Sequence, residues 1–249
     1  MSKTVWILAD DRAGNVNQLL GVAEALKWPF ECKNIRYNTY VRLPNIIRGA
    51  SLIGLDAASQ KQIQSPWPDV VLSAGRRSFP VARYIKKQNH GQTKIVQLMN
   101  PGPTQMRYAD LIVLPEHDRY RGHNPRIMTI AGTPNRVTSA LLAQARLKWQ
   151  NVLSGPQPIV SVIVGGATKN KPFTLDMAAL LVRRVTALNP GSVCVTTSRR
   201  TPTDVVVFLR ENLPKIGFFC VFGDSGENPY FGLLACADIL VVTGDSMSM

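Results

Sequence analysis

Short apolar runs alternate with amphipathic stretches along the whole chain. The runs in the first part are Val5–Ala9, Val70–Ala74, Ile95–Met99, Leu111–Leu114 and Ile127–Ile130. After the first of them, Val16, Leu19, Leu20, Ala23 and Leu26 recur at helical spacing behind Gly14-Asn15, which predicts an amphipathic helix. Ser78 is placed to cap a second helix that reaches about Lys87. Strands that alternate with helices predict βαβ units, and so a parallel sheet covered on both faces.

A long helix is predicted from about Arg136 to Val152, after which Ser154-Gly155-Pro156-Gln157-Pro158 interrupts the pattern. The same grammar then restarts. Ile159–Val164 is a near-continuous apolar run, as a strand buried on both faces requires, and Gly165-Gly166 ends it. Ala178, Leu181, Val182, Val185 and Leu188 form the next helical face. Strand Val193–Thr197, a helix from near Pro202, strand Phe218–Phe222, a helix near Tyr230 and strand Ile239–Val242 follow. The predicted fold class is α/β: two Rossmann-like, doubly wound parallel-sheet domains, residues 1–153 and 157–249. The last strand runs into Thr243-Gly244-Asp245-Ser246, a turn that would normally open a further helix. The second domain is therefore expected to be C-terminally truncated.

Charge adds an asymmetry. The net charge is +13 over 249 residues, and residues 1–150 carry 21 Lys and Arg against 9 Asp and Glu, or +12. A first domain this basic points to an anionic partner: nucleic acid, a phospholipid surface or a phosphorylated substrate. Aromatic residues make up only 7% of the chain, and no stacking platform or recognition motif is evident, so nucleic acid is not expected. No signal peptide or membrane-spanning run is evident, which points to the cytoplasm, with peripheral membrane contact left open. Cys32, Cys194, Cys220 and Cys236 each lie in an apolar stretch and are expected to be buried free thiols. Their spacing does not suggest zinc.

Candidate chemistry gathers after the predicted strands, where ligands of such sheets bind. Gly165, Gly166, Thr168 and Lys169 offer close backbone approach, a hydroxyl and a cation to a diphosphate; the alternative is an ordinary glycine turn. Ser198, Arg199, Arg200 and Thr201 pair two guanidiniums with two hydroxyls and suit bidentate phosphate binding, or form a solvated basic turn. Thr243, Gly244, Asp245 and Ser246 suit a ribose and a diphosphate, or cap a helix. Gly14 and the run Gly75, Arg76, Arg77 and Ser78 offer an anion site in the basic half, or simply helix starts. Asp10, Asp11, His117 and Asp118 are the acid–base candidates; a solvent-exposed histidine is the plainer alternative for His117. No second acidic cluster completes a metal site, so neither a metal nor a resident cofactor is expected. The stretch Tyr40–Leu55 reads either as a core-facing helix or as a basic amphipathic patch on an anionic membrane.

The motifs together resemble a known family, the mitochondrial-fission (elongated-mitochondria) family of plants and bacteria. The resemblance rests on Asp10-Asp11, Gly14, Asn17-Gln18, Gly21–Leu26, Ala74–Ser78, Pro115–Asp118, Gly132-Thr133-Pro134, Ser198–Pro202 and Val242–Met249. It implies a GT-B-like arrangement, with a sugar nucleotide held mainly by the second domain and acceptor or sugar facing the first, in a cleft between them. It thus implies a glycosyltransferase or nucleoside-diphosphate-sugar epimerase. The plant members imply the alternative of a non-catalytic adaptor that binds an anionic membrane or a division GTPase.

Overall fold

Side chains alternate between two faces along strand β1 (Val5–Ala9), and both faces are buried. Val5, Ile7 and Ala9 enter one apolar cluster, while Trp6 and Leu8 enter another. The first cluster is completed by Leu19 and Ala23 of helix α1 (Ala13–Leu26). The chain continues through β2 (Phe30–Asn34), α2 (Asn45–Arg48), α3 (Ala57–Lys61) and β3 (Val70–Ala74) into α4 (Gly75–Gln88). Phe79, Ala82 and Ile85 of α4 complete the second cluster. Strands β4 (Lys94–Leu98), β5 (Leu111–Pro115) and β6 (Ile127–Ile130) finish a six-stranded parallel sheet of order β2-β1-β3-β4-β5-β6.

The computed structural model describes residues 3–167 and 172–244. The chain divides into two units, Met1–Arg136 and Val137–Met249. The second opens with α5 (Ser139–Trp149) and continues through β7 (Ile159–Val164), α6 (Leu175–Ala187), β8 (Ser192–Thr197), α7 (Thr203–Asn212), β9 (Ile216–Cys220), α8 (Tyr230–Cys236) and β10 (Ile239–Val242). Its four strands run parallel in the order β10-β7-β8-β9. Val160, Val162 and Val164 pack against α6 and α7, whereas Ile159 and Cys194 pack with Leu153, Leu233 and Cys236. Each sheet therefore has helices on both faces, as the alternation of elements predicts.

Five expectations change in detail. The helix expected to close the first domain belongs to the second unit, because Trp149 packs against Leu233 and Cys236 of α8. It starts at Ser139, where the Thr138 hydroxyl accepts the Leu141 amide. Ser78 does not cap α4: the helix begins at Gly75 and the Ser78 hydroxyl donates back to the Ala74 carbonyl at 3.0 Å. Edge strand β2 has no apolar pattern and is largely exposed, so Cys32 is exposed rather than buried. Strand β9 ends at Cys220, which leaves Phe222 on a loop.

The largest correction concerns Tyr40–Leu55. Pro80 lies inside α4 and has no N–H for the Arg76 carbonyl four residues back. Asn45 Nδ2 donates to that carbonyl at 2.8 Å, and Arg48 Nη2 donates to the Arg77 carbonyl at 3.0 Å. Helix α2 therefore turns its polar residues inward. Ile46 and Ile47 face solvent, so this stretch is not a core-facing helix.

A β-carbon on Gly232 would stand 2.4 Å from Trp149 Cγ. Gly232→Ala is expected to force α5 and α8 apart and to destabilise the second unit by about 1–3 kcal/mol, read by urea unfolding followed through tryptophan fluorescence.

Candidate functional site

In an open parallel sheet the ligand crevice lies beyond the carboxyl ends of the strands, where strand order reverses. The first sheet reverses between β1 and β3, and the second between β7 and β10. Most of the residues singled out from the sequence cluster at these two edges.

At the β1/β3 edge, Asp10 accepts from the Arg12 amide at 3.1 Å and from Asn15 Nδ2 at 3.3 Å. Burial raises the Asp10 carboxyl above its ordinary range, with the hydrogen bonds opposing and the neighbouring Asp11 charge adding to the rise. Arg77 Nη1 lies 3.0 Å from Asp11 Oδ1, and its guanidinium stacks 4.1 Å from the centre of the Tyr37 ring. The Tyr37 hydroxyl is buried without a hydrogen-bond partner among the described residues, and burial raises its pKa. Gly75 opens α4 at φ +69°, a left-handed conformation that glycine adopts without strain. Buried Gln97 fixes that turn by donating to the Gly75 carbonyl at 2.9 Å. Gly14 lies in the first turn of α1, and Arg76 is exposed in the first turn of α4. Two helix N-termini, a half-buried carboxylate and an arginine thus meet at one edge.

His117 and Asp118 lie in the turn after β5, and three strand spacings separate β5 from β1, roughly 14 Å. His117 is more than half exposed, with Nε2 3.9 Å from Asp118 Oδ1. The fold does not bring this pair to Asp10 and Asp11.

At the β7/β10 edge three loops are tied together. The Gly165 amide donates to Thr243 Oγ1 at 2.7 Å, Thr201 Oγ1 donates to the Gly165 carbonyl at 2.5 Å, and the Ala167 amide donates to the Arg200 carbonyl at 3.1 Å. A β-carbon on Gly166 would lie 2.1 Å from the Arg200 carbonyl, so only glycine permits this closure. The Ser198 amide donates to Thr201 Oγ1 at 2.9 Å, and the Ser198 hydroxyl accepts from the Arg200 amide at 3.2 Å. Arg199 and Arg200 are exposed at the rim, as is Gly244. Thr168, Lys169, Asp245 and Ser246 lie outside the described residues.

Sequence reasoning singled out Thr201 but missed a cavity at the β8/β9 end of the same sheet. Through one hydroxyl Thr201 ties its own loop to the loop after β7. The cavity, of about 420 Å³, is lined by Trp149, Phe218, Phe222, the loop from Val221 to Pro229, and Thr196 and Thr197 at the end of β8. Trp149 and Phe218 meet edge to face at 6.3 Å. The Phe222 amide donates to Thr197 Oγ1 at 3.0 Å, and the Val221 amide donates to Asp224 Oδ2 at 2.8 Å. The signal available in the sequence was Gly223-Asp224-Ser225-Gly226, another polar turn after a strand. Among the described residues no cluster of His, Cys, Asp and Glu is suited to a metal, and no helix is long and apolar enough to cross a membrane.

Comparison with known proteins adds the following. The family model described as Mitochondrial fission ELM1 matches residues 13–249. Uncharacterized protein RP120 of Rickettsia prowazekii (strain Madrid E) is 28% identical over 283 residues, covering 98% of this chain and 78% of the relative. Mitochondrial fission protein ELM1 of Arabidopsis thaliana is 27% identical over 228 residues, covering 80% of this chain and 52% of the relative. Among solved structures, the S. aureus MnaA–UDP co-structure gives a TM-score of 0.48 at 12% identity, covering 97% of this chain and 74% of that one. A UDP-N-acetylglucosamine 2-epimerase from Rickettsia bellii gives 0.42 at 11% identity, covering 100% and 70%. The fold assignment rests on the strand order, not on these likenesses.

The raised pKa of Asp10 has a definite sign. A carboxyl whose folded value lies above its unfolded value contributes its stability at low pH and loses it as pH rises through the folded value. Asp10→Asn is therefore expected to stabilise the chain at pH 7, with the gain vanishing toward the ordinary carboxylate range. Urea denaturation of both proteins across that interval reads it. A loss of stability at pH 7 would mean that the hydrogen bonds, and not burial, dominate at this position.

Proposed function

The chain belongs to the mitochondrial fission ELM1 family, and on that premise we propose that its second unit binds a nucleoside diphosphate carrying a sugar, in the service of glycosyl transfer or epimerisation. One observation carries the reading: the loops after β7, β8 and β10 are tied together at the strand-order reversal, and the end of β8 leads from them to an aromatic-walled cavity on its β9 side. A volume of about 420 Å³ falls within the range of small-molecule sites, roughly 300–1,000 Å³. In this reading the nucleoside enters the cavity between Phe218 and Phe222. Thr196-Thr197 leads directly from the cavity to Ser198 and Thr201, so the diphosphate would run toward Gly166, Gly244, Arg199 and Arg200. Thr168, Lys169, Thr243, Asp245 and Ser246 complete the proposed set.

At the other edge, Gly14, Gly75, Arg76, Arg77 and Ser78 are the proposed anion cradle. Asp10 is the acid–base group of choice, because its burial moves its proton affinity toward neutral pH. Asp11 is committed to Arg77 and is better suited to orienting it. His117 and Asp118 are a secondary candidate pair.

The competing reading is a non-catalytic adaptor that keeps the fold and binds an anionic membrane or a division GTPase. The Arabidopsis relative's name favours it, as does the commitment of Thr201 and Ser198 to bonds between and within loops rather than to open space.

A thermal-shift panel of UDP, GDP, ADP and their sugar conjugates separates the two. Ligand at about 100 times its dissociation constant stabilises a protein by about 2.7 kcal/mol, a shift of several degrees. Phe222→Asp is expected to abolish the shift without lowering the unliganded melting temperature, because the ring is more than half exposed. A panel in which no nucleotide moves the transition would end the enzyme reading.

A further inference from the structure

The far end of α4 carries a cluster of cations that the sites above do not use. Gly75 opens the helix at the β1/β3 edge, and Lys87 lies roughly 18 Å further along its axis. There Arg83, Lys86 and Lys87 line a hollow of about 390 Å³ with Ala50, Arg107 and Tyr108. Gly91, also in the lining, precedes β4, and Arg107 and Tyr108 precede β5. The hollow therefore lies toward the amino ends of these strands, away from the crevice at their carboxyl ends.

Its cations are oriented by uncharged partners. Arg83 Nη1 donates at 2.8 Å to Oε1 of Gln105, a residue only 3% exposed. The Arg83 and Arg107 guanidiniums stand 3.7 Å and 4.9 Å from the centre of one ring, that of Tyr108, and Arg107 Nη2 donates to the Tyr108 hydroxyl at 2.9 Å. An amide and a neutral ring fix these charges without cancelling them. The nearby carboxylate, Asp110, is already engaged. It meets Lys86 at 2.6 Å and Lys94 at 3.6 Å, and accepts the Ile95 amide at 2.8 Å. Among the described residues no carboxylate pairs with Arg83, Lys87 or Arg107. Burial holds the Arg83 guanidinium below its usual pKa, with Tyr108 opposing and the Arg107 charge adding to the fall. Like charges gathered this closely repel, and a bound anion offsets the repulsion.

We propose that this hollow is a separate binding site for a free small molecule carrying two or more phosphates, gripped by Arg83, Lys87 and Arg107. The number of unpaired cations sets the class. One phosphate monoester brings a charge of about −1.5 to −2 and leaves a cation unanswered, and a lipid phosphodiester brings less. Linked phosphates supply the missing charge and let each guanidinium take its own pair of oxygens. The volume falls within the range of small-molecule sites, roughly 300–1,000 Å³. The inference does not depend on the nucleotide site.

The test is lysine acetylation by acetic anhydride, read peptide by peptide by mass spectrometry, with inorganic tripolyphosphate as the probe. Tripolyphosphate is expected to slow acetylation of Lys87 but not of Lys61, an exposed lysine at the end of α3 and outside the hollow. Orthophosphate is expected to need a concentration at least about tenfold higher for the same protection. Arg107→Ala and Arg83→Gln are each expected to raise the tripolyphosphate concentration needed by about tenfold or more. The Arg107 side chain is exposed, so Arg107→Ala is expected to leave the melting temperature unchanged and is decisive even if Arg83→Gln folds poorly. Equal protection of Lys61 and Lys87 would be diffuse attraction to a basic protein and overturns the proposal. So does protection that survives Arg107→Ala, or protection by phosphatidylglycerol vesicles without any by tripolyphosphate. Because the readout sits at Lys87, a nucleotide panel that moves no transition leaves this result unaffected.

Discussion

Burial of both faces of the central parallel strands is the constraint on which the rest depends. Val5, Ile7 and Ala9 look one way and Trp6 and Leu8 the other, so each face must be covered by its own helix. Parallel strands then need a crossover each time, and every crossover returns the chain to the same edge. A large polar side chain along such a strand is costly to bury without a partner, and Gln97 has one. It donates to the Gly75 carbonyl, and thereby shapes the turn that opens α4. The chemistry is left to the loops, and the strand order decides which loops meet.

The two units solve the same problem differently. The first keeps its edge open, with Arg77 bridging Asp11 and the Tyr37 ring. The second draws its loops together through Thr201 and Thr243, and its aromatic cavity lies to one side. A charged, open edge suits a ligand that arrives with its own hydration. A bonded edge beside an apolar-walled cavity suits one with a flat ring and an anionic tail.

Strands with continuous apolar runs were legible because double burial leaves no other pattern, and Val160, Val162 and Val164 illustrate it. What periodicity could not read was anything set by a distant partner. Strand β2 exists because β1 offers it a ladder, not because Phe30-Glu31-Cys32-Lys33-Asn34 favours a strand. Helix α2 is inverted because of a proline more than thirty residues downstream. For the site, motif position after a strand located Asp10, Gly75, Gly165 and Ser198. It could not tell that β5 carries His117 away from Asp10, nor that Phe222 leaves its strand to wall a cavity.

The allegiance of α5 has a practical consequence for dissecting the molecule. The proline-rich break at Ser154–Pro158 invites a cut, yet a fragment beginning there would lose Trp149, leaving Leu233 and Cys236 of α8 bare and the cavity without a wall. Independent expression of the halves belongs at Arg136/Val137. There the severed backbone leaves the α5–α8 packing whole and keeps Arg136 with Glu24, its partner at 2.7 Å on α1.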